Sequence, residues 1–272
     1  LGTAVLAGVA LLLSCGAPDA SSVDPDPWDR VDSVAVGTLR ARGLPGMALA
    51  VTDRNGVLHE AYLGEADMKV GRPVTPETLF QIGSITKSMT ALSLLRLADQ
   101  GRFDPERPVG EYLPWFSVPS AFAPITSHDL LTHSAGIPAN RDDITSSPFQ
   151  ALAVREQRTA WPPGDRFLYS NVGYQVLHVL LERLDGRSYA EILRESILEP
   201  AGMDHARPVI TLESRSAQAV GYIPPFDDRP HHLSRGLVEA PHFPYGVGDG
   251  SVQATARDLA AYARLLLNRG GG

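Results

Sequence analysis

Residues 77–101, ETLFQIGSITKSMTALSLLRLADQG, constrain the fold more than any other stretch, because their pattern changes partway along. ETLFQIG reads as extended chain or turn. After it, Ile85, Met89, Leu92, Leu95 and Ala98 recur at helical spacing until Gly101 supplies a C-terminal stop. Gly83-Ser84 is therefore a turn that launches a helix of about 16 residues. Ser84 falls in its first turn and Lys87, three residues on, shares its face. The start of such a helix also presents unpaired backbone N–H groups, where an oxyanion could be held.

Lys87 stands out by composition. Of the 24 basic residues only Lys69 and Lys87 are lysines; the other 22 are arginines. Arg and Lys serve equally as solvated charge, but only an ammonium can be neutralised by burial. A lysine kept one helical turn from a serine points to a nucleophilic hydroxyl with an amine as its base. The spacing alone is weak, since Ser-x-x-Lys should occur by chance roughly once in a chain of this length. The bland alternative is a Ser cap followed by a surface Lys.

A chain of 272 residues suffices for one large domain. With 43% hydrophobic and 20% charged residues it has the composition of an ordinary globular enzyme. The net charge of −7, with both signs interspersed, excludes the basic face that nucleic-acid binding needs. Cys15 is the single cysteine, which excludes a disulfide framework and a thiolate metal site. It ends the apolar run LGTAVLAGVALLLSC, too short for a comfortable membrane span and matching a signal-peptide core. A Cys directly after such a run resembles the bacterial lipoprotein signal, in which that Cys is lipidated after cleavage. Residues 1–15 are thus expected to be a signal peptide, and the protein to be exported and held at a membrane surface by lipid. The run lacks a charged start and begins with Leu, so the N-terminus reads as clipped.

Residues 16–27 form a polar linker, and the domain is expected over 28–272. Trp28 to Arg42 is helix-like. MALAVTD and VLHEAYLG flank Arg54-Asn55-Gly56 and read as a β-hairpin, Asn-Gly being a strong turn signal. Residues from about 102 to 210 are rich in Pro and short helices, including HDLLTHSAG, Asn171 to Leu184 with Gly186 as its stop, and a helix opened by the capping box Ser188…Glu191. Residues 216–250 are irregular, and Thr255 caps a last helix. The order implies a mixed α/β fold of the α+β kind: an antiparallel sheet with helices packed on it, facing a mainly helical subdomain across a cleft.

Tyr169-Ser170-Asn171 is the second chemical element. Of eight tyrosines only Tyr169 has Asn two positions later. A phenol can relay protons beside an amine, and a carboxamide can bind both amine and carbonyl. Taken alone, a packing Tyr and an N-capping Asn explain the pair as well. Taken with GLPGMALAVTDRNG, LFQIGSITKSMTALSLLRLADQG, ITSHDLLTHSAGIP, WPPGDRFLYSNVGYQ and GDGSVQATARDLAAYARLL, the chain resembles the serine β-lactamase and penicillin-binding-protein superfamily over roughly residues 44–268. The branch it is most similar to comprises class C β-lactamase-related enzymes, family VIII esterases and D-peptidases. The resemblance implies Ser84 as acyl-accepting nucleophile, Lys87 as its base and Tyr169 as the proton shuttle to the leaving group. It implies Asn171 as the holder of Lys87 and of the substrate carbonyl, and the Ser84 N–H as half of an oxyanion hole. A lysine in water is neutral at pH 7 in only about 4 molecules per 10,000, so a lysine base must be relieved of its proton by its surroundings.

The family's third motif, Lys/His-Ser/Thr-Gly on a strand, is not found before Gly272. His133-Ser134-Ala135-Gly136 matches a different block. The sequence thus reads as a fragment lacking the last sheet strands, expected to be inactive and poorly soluble by itself because half a sheet leaves an open edge. No cofactor or metal is expected. His231-His232 lacks companions at ligand spacing and reads as a solvated loop. His133 reads as a structural hydrogen-bonding residue, and Asp142-Asp143 and Asp227-Asp228 as turn or surface residues. The expected partners are a small-molecule or peptide substrate and, through the lipid, a membrane. The expected function is an exported serine hydrolase that acts through an acyl-enzyme on esters, D-amino-acid peptides or β-lactams. The alternative is a sensor or penicillin-binding lipoprotein that is acylated without turnover.

Overall fold

Two glycines open the sheet by letting two backbones meet. In the computed structural model, which describes residues 26–138, 140, 147–159, 161–225 and 236–270, Gly46 pairs with Gly64 at one end of the hairpin β1 (Gly46–Thr52) and β2 (Val57–Asp67). Gly64 has φ +69°, and a Cβ there would lie 2.3 Å from the Pro45 carbonyl oxygen. Only glycine fits both the angle and the approach. At the other end the Asn-Gly signal correctly marks the turn, but neither Asn55 nor Gly56 is left-handed. Asp53 organises it instead, its Oδ1 accepting from the N–H groups of Asn55 (2.7 Å) and Gly56 (2.9 Å). Those N–H groups hold the Asp53 carboxyl below its ordinary value.

β3 (Arg72–Pro73) extends the sheet in the order β1-β2-β3, all antiparallel. Helix α1 (Pro27–Arg42) packs on β1 and β2. Asp26 caps its first turn and Gly43, left-handed at φ 62°, ends it. At its start Asp32 bonds His59 of β2 at 2.7 Å, and Trp28 stacks on the same imidazole.

The segment read as strand, turn and helix takes that form. β4 (Phe80–Gln81) pairs with β7 (Gln253–Ala254), Gly83 turns with φ +51°, and α2 runs Ile85–Asp99 with Ser84 at its cap position. The buried face of α2 differs from the expected one. Leu95 is 43% exposed, whereas Thr86, Lys87, Thr90 and Ser93 are buried with Met89, Leu94 and Leu97. Tertiary hydrogen bonds make this polar face affordable. Thr86 accepts from Val252 N, Thr90 donates to the Gly248 carbonyl (2.8 Å) and bonds the Tyr189 hydroxyl (2.9 Å), and Ser93 bonds Ser196.

Between residues 102 and 210 the named elements are helical: α3 (Val109–Tyr112), α4 (Ser127–Leu131), α5 (Ser147–Ala153), α6 (Asn171–Asp185) and α7 (Tyr189–Leu193), the last running on as a wider turn to Leu198. α6 is the axis of this part. Val172, Val176, Leu177, Leu180 and Leu181 are fully buried, each contributing about 1.5–3 kcal/mol through burial. Packed against α6 are α2, α4, α5 and α7. A two-residue ribbon, β5 (Tyr222–Ile223) with β6 (Val238–Glu239), crosses the irregular segment. Helix α8 (Ala256–Leu267) starts at a Thr255/Asp258 capping box and packs on β1, with Arg257 gripping the Glu60 carboxylate of β2 through two nitrogens. No helix among the described residues is long and apolar enough to cross a membrane. Cys15, Asp142-Asp143, Asp227-Asp228 and His231-His232 lie outside the described residues.

Candidate active site

Ser84 is exposed at the start of α2, and its side chain makes no capping bond to its own helix. Its Oγ accepts instead from Lys87 Nζ at 3.1 Å and from the Tyr169 hydroxyl at 2.6 Å. The Ser84 backbone N–H has no partner among the described residues. Lys87 is buried, 5% exposed. Its Nζ donates to the Asp249 carbonyl at 2.7 Å and lies 4.9 Å from the Tyr169 ring centre and 5.7 Å from that of Tyr174. Three of the four residues singled out from the sequence thus meet at one oxygen.

Asn171 sits differently from its expected place. The cap of α6 is Ser170, whose Oγ accepts from Gly173 N, and Asn171 is the first helical residue. Its Nδ2 donates to Asn140 Oδ1 at 2.6 Å, and its buried Oδ1 has no hydrogen-bond partner. No bond from Asn171 to Lys87 forms: the Asn171 carboxamide is engaged with Asn140, and Lys87 Nζ donates to the Asp249 carbonyl and Ser84 Oγ. An unpaired buried carboxamide oxygen is an acceptor waiting for a donor.

Two residues that sequence reasoning did not assign to the site border it. Asp249 lies in Gly248-Asp249-Gly250, where a Cβ on Gly248 would come 2.8 Å from that of His178. Burial pushes the Asp249 carboxyl up, against the pull of Lys87, and Gln175 Nε2 reaches its Oδ1 at 3.5 Å. The flanking glycines were the available signal, marking a close backbone approach. His133 packs its ring 4.4 Å from that of Tyr169 and accepts the Ser170 N–H on Nδ1 at 3.0 Å, which agrees with the structural role read from the sequence. Burial, and then the charge of Lys87, hold its imidazole below the ordinary value. Burial likewise raises the Tyr174 phenol, to about 12.

The Beta-lactamase family profile matches residues 31–272. The chain belongs to the Beta-lactamase family. Penicillin-binding protein 4* of Bacillus subtilis (strain 168) is 29% identical over 238 residues, covering 81% of this chain and 52% of that protein. Protein flp of Staphylococcus aureus (strain COL) is 26% identical over 206 residues, 72% of this chain and 41% of that protein. The chain therefore spans about half the length of these curated relatives. Among solved structures, the octameric penicillin-binding protein homologue from Pyrococcus abyssi superposes with TM-score 0.79 at 30% identity, covering 90% of this chain and 57% of that one. FmtA from Staphylococcus aureus shares the fold, with TM-score 0.74 at 23% identity. This Beta-lactamase-family chain thus has the antiparallel-sheet and helix architecture expected for it. Among the described residues no group of three or more His, Cys, Asp or Glu side chains is placed to hold a metal ion.

Proposed function

We propose that this chain carries the acylation machinery of a serine hydrolase whose substrates are esters, D-amino-acid peptides or β-lactams. The observation that carries the reading is the convergence of Lys87 Nζ and the Tyr169 hydroxyl on Ser84 Oγ. Ser84 attacks the substrate carbonyl carbon through Oγ, and its proton passes to a neutral Lys87 amine. The new C–O bond leaves a negative oxygen that the free Ser84 N–H is placed to receive at the start of α2. As the tetrahedral intermediate collapses, the bond to the leaving oxygen or nitrogen breaks, Tyr169 gives its phenol proton to that atom, and the proton held by Lys87 restores the phenol. Water then cleaves the Ser84 ester. Asn171 is offered as the amide that meets the substrate, supported by its place two residues after Tyr169.

The test is to expose the protein, expressed from its complete reading frame, to a fluorescent penicillin and to an activated acyl ester, and to weigh it by intact mass spectrometry. One acyl group per chain, absent from S84A, is expected. Continued product release marks a hydrolase, whereas a single stoichiometric acylation marks the non-turnover binder. No Ser84-dependent label with either reagent refutes the reading. We also propose export and lipid anchoring through Cys15, supported by the apolar run that ends there. Radiolabelled palmitate should be incorporated in the bacterial host and lost in C15A; equal labelling of both would refute it.

A further inference from the structure

Thr132 is the C-cap of helix α4, and the next residue, His133, is left-handed with φ 59°. That is the position at which helices favour glycine, and a histidine there carries a conformational penalty that glycine avoids. Such a departure directs attention to what the side chain does.

His133 grips the segment leading into α6 at several points. Its carbonyl accepts the Leu168 N–H at 2.7 Å and its Nδ1 accepts the Ser170 N–H at 3.0 Å. Between those two anchors lies Tyr169. The imidazole supports that residue's ring at 4.4 Å and touches the rings of Phe167 (5.6 Å) and Tyr174 (5.1 Å). Ser170 is pinned further by its Oγ, which donates to the Pro138 carbonyl at 2.6 Å. His133 itself makes no hydrogen bond to Ser84 or Lys87, so whatever it contributes to the site passes through Tyr169.

We propose that His133 is a positioning residue, which holds Tyr169 against Ser84 by accepting the Ser170 N–H on an unprotonated Nδ1. This role rests on the reading of Ser84 as nucleophile. A proton on Nδ1 would set N–H against N–H and break the anchor. The groups around the imidazole oppose that proton. Lys87 on α2 repels a second positive charge whenever it carries its own, and Tyr169 and Tyr174 are phenols. Asp129 on α4, which lines a small cavity together with His133, is engaged by Thr126 through its N–H (2.8 Å) and hydroxyl (2.7 Å). Burial adds to the effect, and the imidazole stays below its ordinary value. The anchor therefore holds at neutral pH and fails on acidification, taking the Tyr169–Ser84 contact with it.

The experiment compares H133G and H133N with wild type in Ser84 acylation against pH, alongside NMR of the wild-type imidazole. H133G relieves the left-handed backbone but removes the acceptor. It should lose about 10²-fold in acylation rate at neutral pH, the scale of a misplaced reacting group. H133N tolerates the left-handed conformation and offers Oδ1 near the place of Nδ1 without titrating. It should recover most of the rate and lose less of it than wild type as pH falls below the ordinary histidine value. In wild type, Nδ1 should carry no proton at neutral pH, and the Ser170 amide signal should move as His133 titrates. Wild-type acylation in H133G, superimposable pH profiles of wild type and H133N, or a proton on Nδ1 at neutral pH would each overturn the proposal. Should H133G fail to fold, the H133N profile and the NMR titration decide the matter. Failure of the hydrolase reading shows differently, as wild type taking no label that S84A lacks; the NMR arm then still tests the anchor.

Discussion

Gly64 and Gly83 both have positive φ, +69° and +51°, yet replacing them with alanine should have very different consequences. At Gly83 a Cβ would meet nothing within 4 Å, so only the backbone angle opposes Gly83→Ala. That costs about 1–2 kcal/mol, partly offset by about 0.4–1 kcal/mol from the stiffer unfolded chain, leaving a loss near 1 kcal/mol. At Gly64 the angle is similar, but the Cβ would lie 2.3 Å from Pro45 O and 3.0 Å from Gly46 Cα. Both are backbone atoms that no rotamer change can move, so the first rung of the hairpin must open by about 1 Å. Opening it also strains the bond from Glu65 N to Pro45 O, now 2.8 Å. Strain and a weakened hydrogen bond bring the expected loss for Gly64→Ala to about 3–5 kcal/mol. Thermal and urea unfolding followed by circular dichroism measure both. For a chain of this size Gly83→Ala should lower Tm by about 2–4 °C and Gly64→Ala by about 10 °C or more. Losses within about 1 kcal/mol of each other would refute the argument, since close approach would then add nothing to the angle.

Lys87→Arg replaces the amine that can accept a proton with a permanent cation, so acylation of Ser84 should fall about 10²–10⁴-fold; near-wild-type labelling would dismiss Lys87 as base. Asp249 has its carboxyl raised by burial, so the native state holds that proton more tightly than the unfolded chain does. Its contribution to stability is then fully present at pH below the ordinary carboxylate value and is lost as pH rises through the native one. Asp249→Asn should therefore raise Tm at pH 7, the gain shrinking as pH falls through the raised native value and vanishing below the ordinary carboxylate value of about 4; a lower Tm at pH 7 would contradict this.

Caps and turns were largely legible in the residues themselves. The Ser188/Glu191 and Thr255/Asp258 capping boxes, the left-handed stop at Gly186 and the turn at Gly83 depend on groups within a few residues of one another, and all form. The hairpin was legible too, although the carboxylate of Asp53 and not the Asn-Gly pair shapes its turn. The buried face of α2 was misread, because hydrophobic spacing says nothing of the carbonyl and hydroxyl partners that let Thr86, Thr90 and Ser93 face inward.

By itself, then, the sequence determined the local starts and stops, and the placing of Ser84 and Lys87 one turn apart. Hydrogen bonds over three or four residues suffice for that. Tertiary structure alone decided that Tyr169, 85 positions away, reaches Ser84, and that a carbonyl 162 positions from Lys87 receives its ammonium. It also turned Asn171 toward Asn140. A backbone carbonyl is the same at every residue, so no side-chain pattern announces which one will receive a lysine; only packing brings it there.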